Sequence, residues 1–278
     1  MTKTIAHISD LHFGRTEPAV VEALLAELAA TKPTVIAVSG DLTQDARSAE
    51  FAAARDFLDR LPAPYLVVPG NHDIPRLNLL SRFTKPFSRY RRYITQDTAP
   101  VLVEDGIALV GVNTARRLVA HWNWSHGAIS LGQIERVRDT VRALPRDTLK
   151  IVVAHHPFLP PPDDPTARLI ARAETALRFF AAAGVDLILT GHLHKGFTGE
   201  VTAHHGRVRR PILVAQAATA TSTRLRDEPN AYNRILVDGN RLTLEPRRWD
   251  GARFTPMPAH SYEKVKGRWL AIPTGTAT

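Results

Sequence analysis

Five short clusters of Asp, Asn and His dominate the chemistry that this 278-residue chain can offer: Asp10-Leu-His12, Gly40-Asp41, Gly70-Asn71-His72-Asp73, His155-His156-Pro157 and Gly191-His192-Leu-His194. Carboxylate, amide oxygen and neutral imidazole are the nitrogen and oxygen ligands of zinc, manganese or iron. In Asp-x-His and His-x-His, side chains leaving one turn can converge on one ion. A carboxylate such as Asp41 can bridge two ions, because each of its oxygens has lone pairs to give. Two cations roughly 3.5–4 Å apart can hold a hydroxide nucleophile and stabilise both the attacking and leaving oxygens of an in-line phosphoryl displacement. Taken singly, Asp10 or Asp41 reads as a turn or helix cap, and His155 or His156 as a hydrogen-bonded buried histidine. The set, in this order, points to one site.

The clusters share a position: each follows a strand-like apolar run. Such runs occur at Thr4–Ile8, Val35–Ser39, Tyr65–Val68, Ile107–Val112, Lys150–Ala154 and Leu187–Thr190. Between most of them lie segments of helical spacing, at Pro18–Ala30, Ala46–Leu61, Ser130–Leu144 and Thr166–Ala183. Strand and helix alternate through residue 190, the signature of an α/β protein with buried sheets. Loops at the carboxyl ends of parallel strands open onto one crevice, where ligands bind. After Gly196 the pattern changes to strands at Phe197–Ala203, Arg207–Ala215, Tyr232–Val237 and Arg241–Trp249 joined by short turns, so 197–250 is expected to be antiparallel sheet. The residues from Ala271 onward are expected to fray.

Composition narrows the function classes. With no cysteine, disulfides, thiolate zinc sites, iron–sulfur clusters and cysteine nucleophiles are excluded together. Apolar types at 44% and charged types at 23% are ordinary globular usage. No apolar run approaches the roughly 18–20 residues that span a bilayer, and Met1-Thr-Lys-Thr leads directly into a strand, so a soluble, cytoplasmic protein with no membrane partner is expected. The net charge is +9. Residues 195–278 hold 14 Lys and Arg against 7 Asp and Glu, and residues 75–93 hold 6 basic and no acidic side chains. This charge reads either as a solvated arginine-rich surface or as attraction for an anionic substrate. No nucleic-acid motif accompanies it, which ranks nucleic acid low as a partner.

The ordered clusters resemble the calcineurin-like metallophosphoesterase superfamily, over residues 5–194. The resemblance implies an α/β fold, a four-layer αββα sandwich of two mixed sheets flanked by helices, and a dinuclear site where the strand-end loops meet. It places Asp10, His12, Asp41 and His194 on one metal and Asp41, Asn71, His155 and His192 on the other, with Asp41 bridging. Manganese or iron is the implied metal, with zinc or cobalt as alternatives. His72 matches the family position that contacts phosphate and protonates the leaving group, and Asp73 would orient it. In this reading His155 is the ligand of its pair and His156 has no assigned role.

The Asp-Leu-His opening and the His-His-Pro string resemble the branch of class III cyclic nucleotide phosphodiesterases and glycerophosphodiesterases. That branch implies hydrolysis of a small phosphodiester, a cyclic nucleotide first, with a phosphomonoester or nucleotide-sugar pyrophosphate as the alternative. A nuclease and a non-catalytic scaffold rank lower. Residues 74–100 are read as a substrate-specificity insert within a single domain over 1–278. There Arg76 joins Asn71 and His72 as a candidate phosphate contact, and Phe83, Phe87, Tyr90 and Tyr93 either stack a base or face the core. Asn113–Arg117 and His121–His126 are further candidates for the pocket wall, whereas His204 and His205 are expected in a hairpin turn. The C-terminal strands could supply an edge for a homodimer.

Overall fold

The computed structural model describes residues 2–76, 78–116, 126–201, 210–225 and 228–273. Two sheets lie face to face. The first is built from β1 (Lys3–Ile8), β2 (Val35–Val38), β3 (Tyr65–Val67), β10 (Ala231–Asp238), β11 (Arg241–Trp249), β12 (Phe254–Pro256), β13 (His260–Val265) and β14 (Arg268–Ile272). Its order is β14-β13-β11-β10-β1-β2-β3, with β12 paired to β11. The second contains β4 (Val101–Glu104), β5 (Ile107–Val112), β6 (Leu149–Ala154), β7 (Leu187–Thr190), β8 (Phe197–Glu200) and β9 (Leu213–Gln216), in the order β4-β5-β6-β7-β9-β8. Six helices accompany them among the described residues: α1 (Pro18–Thr31), α2 (Ser48–Asp59), α3 (Leu79–Thr84), α4 (Ser88–Tyr93), α5 (Leu131–Ala143) and α6 (Ala173–Ala183).

The period of two in the strands makes the layers. On β1 and β2, Ala6, Ile8, Ile36 and Val38 pack outward against Val20, Leu24 and Leu28 of α1 and Phe51 and Phe57 of α2. Their neighbours Ile5, Val35 and Ala37 face inward, against Ile151, Val153 and Leu189 of the second sheet. Val152 and Ile188 point the other way, onto Ile134 and Val137 of α5 and Leu177 and Phe180 of α6. The interior strands are thus buried on both faces and read as unbroken apolar runs. The expected αββα sandwich is the one observed.

Local chemistry sets the helix limits. Pro18 starts α1, where a missing N–H costs nothing. Ser130 and Gln133 form a reciprocal capping box at the start of α5. Two helices begin later than their apolar spacing predicts, and in each case a left-handed residue stands just ahead: Ala46, φ 55°, before α2 and Arg172, φ 69°, before α6.

The C-terminal third departs from the expected single antiparallel block. β8 and β9 are antiparallel to each other, but β9 runs parallel to β7 inside the second sheet. Leu213–Gln216 is buried on both faces, which suits an interior parallel strand rather than a hairpin arm. Only β10 to β14 form a continuous antiparallel run, and Ala271 and Ile272 are paired within it rather than frayed. Its last hairpin is tied to the second sheet by the buried Asp186 carboxylate. That group accepts from Arg210 Nη2 and Lys264 Nζ, each at 2.9 Å, and from Trp269 Nε1 at 3.2 Å.

Between the sheets, β1 also carries a fully buried imidazole. Asn233 Nδ2 donates to His7 Nδ1 at 3.2 Å, so the remaining ring proton lies on Nε2, 2.9 Å from Ser39 Oγ. Burial lowers the His7 pKa to about 3, against the slight opposing pull of Asp10. The unfolded chain therefore binds one more proton than the folded one between the ordinary value of 6.5 and about 3, and stability falls as pH falls through that window. Each such proton is worth about 1.4 kcal/mol per pH unit. Denaturant titrations of the metal-free protein at pH 7.5 and pH 5 should show a smaller loss on acidification for His7→Gln than for the parent.

Candidate metal centre

β1, β2, β3, β6 and β7 each end at the same edge of the sandwich, and each passes into one of the polar clusters. The chain bends sharply there. Asp10, His12, Asp41, His192 and His194 all have φ between 51° and 76°, and they are five of the ten non-glycine residues with positive φ among those described. Such backbone is costly for residues with a Cβ and persists only where the surroundings hold it.

Backbone approach is also unusually close. A Cβ on Gly70 would lie 2.1 Å from Asp41 Oδ1, and one on Gly191 would lie 1.9 Å from Ser9 Oγ. The glycines of Gly-Asn-His-Asp and Gly-His-x-His therefore let the loops of β3 and β7 press against the carboxylates of β1 and β2. Gly191 N–H donates to the His155 carbonyl at 2.9 Å, and Asp10 N–H to the Gly40 carbonyl at 3.0 Å.

Two ligand groups result. In the first, His12 Nε2 is 3.1 Å from His194 Nε2 and 3.6 Å from Asp10 Oδ1, while His194 Nε2 is 3.2 Å from the same oxygen. In the second, His155 Nε2 lies 3.2 Å from Asn71 Oδ1 and 3.3 Å from both His192 Nδ1 and Asp41 Oδ2. Asp41 Oδ2 is also 3.7 Å from His12 Nε2, so this one oxygen faces both groups. Asp10, His12, Asp41, His155 and His194 are buried.

Backbone carbonyls decide which nitrogens are free. His155 Nδ1 donates to the Ser39 carbonyl at 2.8 Å and His194 Nδ1 to the Arg224 carbonyl at 3.0 Å, leaving each Nε2 turned to the centre. Asp10 Oδ2 accepts from Ser9 Oγ and from His192 N–H, at 2.7 and 2.9 Å. Among the described residues Asp10 Oδ1 is buried with no hydrogen-bond partner, with His194 Nε2 3.2 Å away as its ion-pair neighbour. Lone pairs from carboxylate, amide oxygen and imidazole thus face one another, an arrangement only a proton or a cation can reconcile. The donor set fits a pair of divalent ions of the zinc, manganese and iron kind, with one set of atoms for each and Asp41 common to both.

The electrostatics agree. Burial alone would raise the Asp10 and Asp41 carboxyls, but the surrounding imidazoles outweigh it and hold both well below the usual carboxylate range. His155 is pulled the other way: burial opposes its charge, Asp41 overcomes it, and the pKa rises to about 9. His192, buried beside that imidazolium, falls to about 3.

Several expected residues stand elsewhere. His72 is at the rim, its ring 4.8 Å and edge-on from that of His12, with its N–H donating to Asp41 Oδ1 at 2.8 Å. Asp73 does not orient it. The Asp73 carboxylate instead accepts from the N–H groups of Leu42, Thr43 and Gly70 and from Thr43 Oγ1, at 2.9 to 3.2 Å, because the turn after Asp41 presents those donors directly to it. Burial and the neighbouring Asp41 raise its pKa to about 6. It is the Gln44 carbonyl, 2.7 Å from Nδ1, that fixes the His72 ring. His156, left without a role, packs against both His155 and His192, and its Nδ1 is 2.8 Å from Thr114 Oγ1.

Arg76 is exposed and makes none of the contacts that join the ligands. Three aromatic residues of the insert serve the core: Tyr90 is fully buried with its hydroxyl donating to the Val67 carbonyl, Tyr93 stacks on Phe51, and Phe87 packs beside them. Arg116 is held by the carbonyls of Asn113 and Ala115 and by Gln133 of α5. Arg117, residues 121–125, His204 and His205 lie outside the described residues. The sequence reading missed Arg224, whose Nη1 donates to His72 Nε2 at 3.1 Å. Its one signal was an arginine in a Ser- and Thr-rich stretch of a basic C-terminal region.

Two outcomes follow. Removing the four-fold acceptor in Asp73→Ala should cost about 3 kcal/mol in denaturant unfolding, because buried N–H donors lose their partner. Metal loading should release protons, since ligand nitrogens must be deprotonated. With His155 protonated below about 9, calorimetry in buffers of different ionisation enthalpy should find proton release at pH 7.5 that falls as the pH passes that value.

A model of the calcineurin-like phosphoesterase family matches residues 3–196. A protein of Synechococcus sp. named "Probable cyclic nucleotide phosphodiesterase" is 32% identical over 84 residues, 27% of this chain and 33% of that protein. One of the same name from Pseudoalteromonas sp. is 25% identical over 206 residues, 69% of this chain and 72% of the relative. The match thus spans a third of the first relative's length and about three quarters of the second's. Among solved structures, purple acid phosphatase from yellow lupin seeds superposes with a TM-score of 0.71 at 10% identity, covering 100% of this chain and 57% of its own. With a family model matching residues 3–196 and the motif clusters gathered at one sheet edge, the chain belongs to the calcineurin-like phosphoesterase family.

Proposed function

We propose that the protein is a metal-dependent phosphodiesterase acting on a small phosphodiester, with a cyclic nucleotide first in line. The observation that carries the reading is the single Asp41 oxygen facing two complete ligand groups, His12 on one side and His155 on the other. Likeness to two relatives named as probable cyclic nucleotide phosphodiesterases supports the diester. When bound, a pair of divalent ions would supply a water-derived nucleophile at neutral pH and neutralise charge on the phosphoryl oxygens.

The chain's own residues do the rest. Asp10, His12, Asp41 and His194 would hold one ion, and Asp41, Asn71, His155 and His192 the other; the native metal is assigned to manganese or iron. The Ser39 and Arg224 carbonyls keep the His155 and His194 imidazoles in the tautomer that ligation needs. His72 stands outside both ligand groups at the rim, where its ring can meet a phosphate and, when Nε2 carries a proton instead of accepting from Arg224, can give that proton to the departing oxygen. The Gln44 carbonyl steadies that ring from behind.

The test is hydrolysis by manganese-loaded protein of bis(p-nitrophenyl) phosphate, p-nitrophenyl phosphate and the 3′,5′- and 2′,3′-cyclic nucleotides, with Asn71→Ala as control. The expected result is a preference for diesters, with activity lowered about 10- to 100-fold in the control, the range for losses around a metal site. Preference for the monoester would overturn the diester reading.

A further inference from the structure

We infer that Arg224 is a phosphate-binding residue of this site, an inference that rests on the phosphoesterase reading above. Its guanidinium lies beside His72, with Nη1 donating to Nε2 at 3.1 Å, and His72 in turn lies edge-on to His12 of the first ligand group. The cation is therefore at the rim of the centre, next to the side chain best placed to meet substrate phosphate. The contact it makes there is a poor one for an arginine. A half-buried guanidinium offers five N–H donors, and here one of them meets a ring nitrogen. Among the described residues no carboxylate pairs with it, whereas Arg210, Arg234 and Arg247 each have an acidic partner.

The loop carrying Arg224 is held from both sides. Thr219 Oγ1 donates to the Asp10 carbonyl at 2.6 Å, Thr221 Oγ1 to the Leu11 carbonyl at 2.9 Å, and Thr223 N–H to the Arg15 carbonyl at 2.8 Å. Asn230 Nδ2 donates to the Ser222 carbonyl at 2.9 Å, and Ser222 Oγ accepts the Arg224 N–H at 3.0 Å. The main chain of Arg224 is itself part of the centre, because its carbonyl fixes His194. One residue thus joins a metal ligand through its backbone to the substrate side through its side chain. A phosphate oxygen reaching His72 would meet a guanidinium with four donors that no described residue engages, in a planar fork, the geometry that suits phosphate. The arginine would exchange a neutral nitrogen for an anion.

Arg224→Gln and Arg224→Lys keep the backbone carbonyl and separate the two functions. Inorganic phosphate, titrated calorimetrically into manganese-loaded protein, is the binding probe, with KM and kcat for bis(p-nitrophenyl) phosphate and manganese affinity measured alongside. For Arg224→Gln, phosphate affinity should fall and KM should rise by about 10- to 100-fold, the range for losing hydrogen bonds to a charged group, while manganese affinity stays within about twofold. Arg224→Lys, retaining the charge without the fork, should fall between. Parent protein that hydrolyses phosphoesters, with variants whose phosphate affinity and KM match it within about twofold, would overturn this inference alone. A parent that turns over no phosphoester would overturn the proposed function, with the phosphate titrations still reading the arginine directly. A loss confined to manganese affinity would reduce Arg224 to a structural part and overturn the inference as well.

Discussion

Lone pairs face lone pairs at the centre of this protein. Asp10 Oδ1, Asp41 Oδ2, Asn71 Oδ1 and the Nε2 atoms of His155 and His194 converge at 3.2 to 3.3 Å, where the oxygens can be satisfied only by a proton on an imidazole or by a cation. Such an arrangement is tolerated only because a cation can take the middle. A proton on His155 relieves it in part, and a pair of metal ions would relieve it fully. The surrounding architecture keeps these groups from turning away. Carbonyls of Ser39 and Arg224 lock two rings, backbone N–H groups hold the second oxygens of Asp10 and Asp41, and left-handed backbone at five ligand positions aims the side chains inward.

Holding that arrangement requires both sheets. The candidate ligands come from five strand ends, three in the first sheet and two in the second, and an apolar layer between the sheets sets the distance between them. Gly70 and Gly191 take the remaining slack out of the junction, since any side chain there would collide with the carboxylates. Asp73 belongs to the same framework. By gathering donors from the loops after β2 and β3, it fixes the turn on which Asp41 stands.

Distant parts of the chain complete the structure by the same kind of polar clasp. At the opposite end of β7 the Asp186 carboxylate joins Arg210, Lys264 and Trp269, fastening the final hairpin across both sheets. A buried carboxylate with two cations and an indole N–H is well compensated, so burial of its charge is tolerated. Of the 14 C-terminal Lys and Arg residues, Arg210, Arg234, Arg247 and Lys264 are paired with acids in this way. Arg224 differs in having no such acid to neutralise it among the described residues.

Local order along the chain is enough to specify the elements that bury apolar residues at a regular period, and the ligands that follow them. Val35–Ser39, Ile107–Val112 and Leu187–Thr190 could be read locally because a strand buried on both faces must be apolar at every position. The candidate ligands can be picked out for the same reason, since Asp10, His12, Asp41, Asn71, His155, His192 and His194 each stand just beyond the end of such a run. Strands with only one buried residue left no such trace: β13 buries Tyr262 and β14 buries Trp269, each among charged or exposed neighbours. Packing of the layers was needed to establish that β9 runs parallel to β7, that Tyr90 serves the core, that Asp73 grips backbone instead of His72, and that Arg224 arrives beside His72 from 152 residues away. Periodicity is a property of neighbours in the chain, whereas which donor meets which acceptor across two sheets depends on register and loop path, and those are set only when the layers pack.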